Sequence, residues 1–121
     1  MRWDRRGWIV SAALSGFIAV AAGASGAHGV ADPRTAELLK TGAQYEAIHA
    51  LAILACAALI TEGLPATLFL AGTLLFSGSL YALALGAPGW VGMITPLGGL
   101  LFLGGWLSLA WAGWRESPPS A

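Results

Sequence analysis

Both histidines of the chain, His28 and His49, fall within one stretch, GASGAHGVADPRTAELLKTGAQYEAIHAL, and Glu46 stands three residues before the second. A Glu-x-x-His spacing sets a carboxylate and an imidazole on one broad helix face, which is the half-motif of di-iron carboxylate bundles. A dinuclear centre needs a second such pair and two further carboxylates, and the other apolar segments supply no acid at a matching depth. A haem held by His28 and His49 is the sharper alternative, because imidazole is a common axial ligand. Two histidines near helix ends more often bond to backbone or to a carboxylate, so a Glu46–His49 contact inside a structural network is the plainer expectation. No metal site and no cofactor are therefore assigned. There is also no Gly-x-Ser-x-Gly, no phosphate loop and no Ser/His/Asp set, and the serines of LFSGSLY read as small packing contacts. The chemistry-bearing residues point away from an enzyme.

The elements that position these groups follow from composition. With 57% hydrophobic residues, 10% charged residues and a mean hydropathy of +0.73, the chain lacks the polar surface of a soluble domain. No charge occurs between Leu64 and Trp114, a run of about fifty residues and long enough for two crossings at roughly twenty residues each. Four apolar segments, at about 7–27, 42–60, 66–85 and 90–111, predict an all-α integral membrane bundle of four transmembrane helices in a single domain. Gly29, Gly63 to Pro65 and GAPG (Gly86 to Gly89) mark the breaks. In the longest connection Asp32 and Pro33 predict a helix start and Gly42 an end, which makes PRTAELLK a short interfacial helix between the first two spans. Thr95-Pro96 predicts a kink in the fourth span, with the Thr95 hydroxyl covering the carbonyl that proline frees.

Arg2, Arg5, Arg6 and Arg115 fall on one side and Arg34 and Lys40 on the other, so the positive-inside rule predicts cytoplasmic termini. The basic, then apolar N-terminus also resembles a signal peptide, but its apolar run is long for one. Trp3, Trp8, Trp90, Trp111 and Trp114 sit near segment ends, as interfacial anchors do. Cys56, the one cysteine, reads as a small packing residue. Small residues offer smooth packing faces: Ser15, Ala19 and Gly23 on the first helix, Ser77 to Ser79 on the third, Gly98, Gly99, Gly104 and Gly105 on the fourth.

In that topology the polar residues of all four helices share one layer in the outer half. His28, Gln44, Tyr45, Glu46, His49, Ser77, Ser79, Tyr81 and Thr95 are its members and the candidate ligand-binding residues. The stretches GAHG, TGAQYEAIHALAIL, LLFSGSLYALAL and ITPLGGLLFLGGW, in this order, resemble the family known as domain of unknown function 423. These are small multi-pass bacterial inner-membrane proteins, related to the eukaryotic transmembrane protein 256, and the resemblance covers nearly the whole chain. It carries no established activity, but it places most of its motif positions in the polar layer. This chain departs from the family pattern at Ser25, where an aromatic residue is usual, and at Glu46, where glutamine is common.

The expected function is that of a small, non-enzymatic, multi-pass protein of the bacterial inner membrane. Surrounded by the lipid bilayer, it would pack as an accessory component against a larger membrane assembly of the respiratory type. The alternative is a binder or transporter of a quinone, haem or solute through the layer around His28 and His49. Zero net charge without a basic block gives no reason to expect a nucleic-acid partner, and the oligomeric state is open.

Overall fold

The computed structural model describes residues 4–116, so the N-terminal Arg2 and Trp3 lie outside the described residues. Four helices follow one another: α1 (Arg5–Ala24), α2 (Pro33–Leu59), α3 (Leu64–Ala84) and α4 (Thr95–Arg115). A π-helical turn, Ser25–Gly29, extends α1, and a 3-10 turn, Gly89–Met93, leads into α4. All four spans are long and apolar enough to cross a membrane, and no strand occurs among the described residues.

Local chemistry explains where the helices begin. The Asp4 carboxylate accepts from the Gly7 N–H at 2.8 Å and caps α1. At α2, Asp32 Oδ2 accepts from the Thr35 N–H at 2.9 Å and the Thr35 hydroxyl at 2.8 Å, ahead of Pro33 in the first turn. At the far end of α3 the chain leaves through Gly86, whose φ of 101° disfavours any residue with a Cβ.

Three expectations need correction. There is no separate interfacial helix: PRTAELLK forms the opening turns of α2, which runs unbroken for 27 residues. Gly42 does not end a helix but admits a neighbour, since a Cβ there would lie 2.6 Å from the Tyr81 ring. At about 1.5 Å per residue α2 is some 40 Å long against a hydrocarbon layer of about 30 Å, so one end projects or the helix tilts. Likewise, Thr95-Pro96 does not kink a continuous helix. Proline occupies the first turn of α4, where its missing N–H costs nothing, and the irregular turn falls before it.

Close approach is serial: α1 packs on α2, α2 on α3 and α3 on α4. Glycines set the last two contacts. A Cβ on Gly98 would run into the Phe76 backbone, and one on Gly72 or Gly105 would lie 2.6 Å from the rings of Phe102 or Phe69. On α1 the expected stripe does face α2: Ser15 and Ala19 are buried, and a Cβ on Gly23 would meet Ala43 Cβ at 3.3 Å. The core draws on every helix, with Ala12, Ile53, Cys56, Phe69 and Phe102 among its members. Trp8 belongs to this core as well, and its near-complete burial removes it from the expected interfacial anchors. Trp90, Trp111 and Trp114 remain exposed near helix ends, where such anchors belong.

The charged ends also meet. Arg115 at the end of α4 lies 4.0 Å from Glu62 in the α2–α3 connection, an exposed pair that adds little stability but puts these elements at one end of the molecule.

Gly98→Ala should destabilise the protein by about 1–3 kcal/mol through forced separation of α3 and α4. Gly99→Ala, whose Cβ would enter open space, should be neutral or slightly stabilising; thermal unfolding of both variants in one detergent checks the contrast. The Thr35 N–H and hydroxyl hold the Asp32 carboxyl below the usual carboxylate range. The cap's contribution should therefore be complete above that range and disappear as the pH falls through the depressed value, read as faster amide exchange in the first turn of α2.

Candidate functional site

Glu46 is 4% exposed, midway along α2 and between the two neighbouring helices. The Ser15 hydroxyl on α1 donates to Oε2 at 2.8 Å, and the Tyr81 hydroxyl on α3 donates to Oε1 at 2.7 Å. One carboxyl group thus ties three helices through its two oxygens. Gly42, one helical turn earlier, leaves the space that the Tyr81 ring crosses to reach it.

His49 points elsewhere. Three residues advance a helix by about 300°, and here the remaining 60° separates the two side chains into different surroundings. The His49 ring stacks on Phe102 at a centroid distance of 3.6 Å and an interplanar angle of 7°, with Phe69 and Trp106 around it. Its nitrogens have unambiguous roles. The Tyr45 carbonyl, 2.7 Å from Nδ1, can only accept, and the Trp106 indole N–H, 3.1 Å from Nε2, can only donate. Together they select the neutral tautomer with its proton on Nδ1.

Two further contacts cross between helices at the end away from the termini. The Ser77 hydroxyl donates to the Gly42 carbonyl at 2.7 Å and joins α3 to α2. The Ser79 and Thr95 hydroxyls bond to each other and join α3 to α4. Thr95 thus serves a neighbouring helix rather than the carbonyl freed by Pro96. No buried side-chain nitrogen or oxygen lacks a partner among the described residues.

Of the nine residues expected in the polar layer, six enter these contacts through their side chains: Glu46, His49, Ser77, Ser79, Tyr81 and Thr95. His28, Gln44 and Tyr45 have exposed side chains, and Tyr45 contributes to the interior through its carbonyl and its ring contacts with Phe76 and Phe102. The expected Glu46–His49 pairing does not form, because Ser15 and Tyr81 occupy the carboxyl group while Trp106 and the Tyr45 carbonyl occupy the imidazole. A haem does not suit this pair, since His49 would have to give up Trp106 to expose a nitrogen lone pair. No cluster of three or more His, Cys, Asp or Glu side chains suited to a metal ion occurs among the described residues.

Ser15 and Trp106 are the members that sequence reasoning missed. Ser15 stands among small packing residues with nothing to mark it as a donor. Trp106 did carry a signal, as a tryptophan placed well inside a span: an indole N–H at that depth needs an acceptor.

Residues 22–99, which carry most of this network, match the model of the protein family described as "Protein of unknown function (DUF423)". The chain belongs to this family. The "UPF0382 membrane protein" of Haemophilus influenzae is 43% identical over 117 residues, spanning 90% of this chain and 94% of the relative. The "UPF0382 inner membrane protein YgdD" of Escherichia coli K12 is 45% identical over 107 residues, with 81% and 82% covered. YwdK of Bacillus subtilis, also a UPF0382 membrane protein, is 38% identical over 112 residues, with 84% and 91% covered. No solved structure gives a significant match. Ser15 and Trp106 lie outside the DUF423 match, although each bonds to a residue inside it.

Ser15→Ala and Tyr81→Phe should each destabilise this DUF423 protein by about 1 kcal/mol, and Glu46→Leu by more, because it strands two hydroxyls. Glu46→Gln should cost least, since an amide offers both an acceptor and a donor to groups that can reverse their roles; unfolding midpoints in detergent give the order. Nitrogen-15 NMR of the imidazoles should show His49 held as the Nδ1–H tautomer; Trp106→Phe should keep that tautomer, which the Tyr45 carbonyl still demands, while shifting the Nε2 resonance as its donor is lost and leaving the Phe102 stacking in place.

Proposed function

We propose that this DUF423 protein is a non-enzymatic structural module of the bacterial inner membrane that packs against a larger membrane assembly as an accessory component. The observation that carries this reading is the commitment of interior polar groups to contacts between helices: the Glu46 carboxyl, the His49 imidazole and the hydroxyls of Ser15, Ser77, Ser79, Tyr81 and Thr95 bind helix to helix. Among the described residues no buried side-chain nitrogen or oxygen is left without a partner to offer a transported solute. The lipid-facing surface, by contrast, includes glycines with room for a closer neighbour, since nothing lies within 4 Å of a Cβ at Gly16, Gly78 or Gly99.

The inner membrane is supported by the printed name of the Escherichia coli relative. Cytoplasmic termini are supported by Arg5, Arg6 and Arg115 at one end and by Arg34 and Lys40 at the other. Of the residues expected for the ligand-binding alternative, His28, Gln44 and Tyr45 are exposed, and the other six are committed through their side chains to contacts within the bundle.

Capture of the tagged protein at native expression, after mild solubilisation, should bring down a membrane protein in fixed ratio. Gly78→Leu and Gly99→Leu should release that protein while leaving the unfolding midpoint close to that of the parent. Recovery of monomer or self-associated chain alone would sink the accessory reading.

A further inference from the structure

At the end of the bundle formed by the start of α1, the end of α2 and the start of α3 lies a partly open cavity of about 240 Å³. A water molecule's share of liquid volume is about 30 Å³, so the space suits a multi-atom group better than a single ion or solvent molecule. Trp8, Cys56 and Ala66 give it an apolar wall, and Arg5, Thr61 and Glu62 give it a charged and polar lining. These six residues come from three separate parts of the chain, so the cavity exists only once the helices are packed.

The polar groups differ in their availability. Asp4, also in the lining, is committed to the Gly7 N–H. The Arg5 guanidinium and the Thr61 hydroxyl have no hydrogen bond or ion pair among the described residues. Among the described residues Glu62 pairs with Arg115, at 4.0 Å and with both side chains about half exposed. A guanidinium and a hydroxyl suit a phosphate, the former through two parallel N–H donors. A neighbouring carboxylate suits an ammonium. The cavity lies at the ends of membrane spans, at the level where lipid headgroups supply both charges on one molecule.

We propose that this cavity seats the headgroup of an amine-bearing phospholipid, with phosphate on Arg5 and Thr61 and ammonium on Glu62. The glycerol and first acyl carbons lie against Trp8 and Ala66. Phosphatidylethanolamine has this chemistry; phosphatidylglycerol has the phosphate without the ammonium. Inorganic phosphate has neither the ammonium nor the apolar tail.

Cys56 gives the test its readout, because it lines the cavity and is the one cysteine of the chain. The intact protein in detergent is treated with a thiol reagent in the presence of didecanoyl phosphatidylethanolamine, didecanoyl phosphatidylglycerol or inorganic phosphate. Retained lipid is counted in parallel by native mass spectrometry. Phosphatidylethanolamine should slow labelling about tenfold at a concentration where phosphatidylglycerol has a weaker effect and phosphate none. Arg5→Gln should abolish protection by both lipids, and Glu62→Gln should make the two lipids equivalent; both substitutions are exposed and their folding is checked by thermal unfolding. Equal protection of the parent by both lipids overturns the ammonium assignment. Protection by phosphate alone overturns the lipid assignment, and no protection by phosphatidylethanolamine overturns the site.

Discussion

Placing a carboxyl group at the depth of Glu46 costs about 3 kcal/mol on insertion scales, and neither water nor lipid tails can repay it there. Its two oxygens must find donors within the chain, and Ser15 and Tyr81 provide them from opposite sides. That requirement fixes much else. Tyr81 reaches Glu46 only across a position without a side chain, which Gly42 supplies, and Ser15 reaches it only because small residues let α1 lie close to α2. Around one polar group, then, the register of three helices is specified more sharply than apolar contact alone would specify it.

The fourth helix is held by different means. It meets α3 through glycine-admitted rings, Gly72 with Phe102 and Gly105 with Phe69, and it meets α2 through the His49–Trp106 bond. Phe102 links the two devices, being both the ring that Gly72 admits and the ring on which His49 stacks. Shape selects this contact, and the bond from the Trp106 indole gives it direction. The comparison with α1, α2 and α3 is one of strategy: ionisable oxygen shared among helices in one case, aromatic surface with one directed bond in the other.

The spans were legible in the sequence because transfer into lipid depends on composition averaged over some twenty residues. Polar partners were less legible, because a hydrogen bond depends on rotation about the helix axis and on the neighbour's identity. Glu46 and His49 illustrate the difference: three residues of spacing suggested a pair, but Glu46 turns toward α1 and α3 and His49 toward α4. Gly42 misled for a related reason. A helix-ending glycine and a glycine that accommodates a tyrosine ring look alike until Tyr81 is placed. The cavity at the termini end leaves no local motif in the sequence, since it is assembled from residues as distant as Arg5 and Glu62.

Because each helix lies against its predecessor in the chain, the bundle can be assembled in the order in which it is made. Contacts between successive helices need little loop closure, which favours rapid docking. Glu46 adds a checkpoint to that order. When α1 and α2 alone have entered the bilayer, Ser15 can satisfy one carboxyl oxygen and the other has no donor from α3. Arrival of Tyr81 completes the set, so a nascent hairpin carries a polar defect that the third helix repairs, and the incomplete protein differs chemically from the finished one.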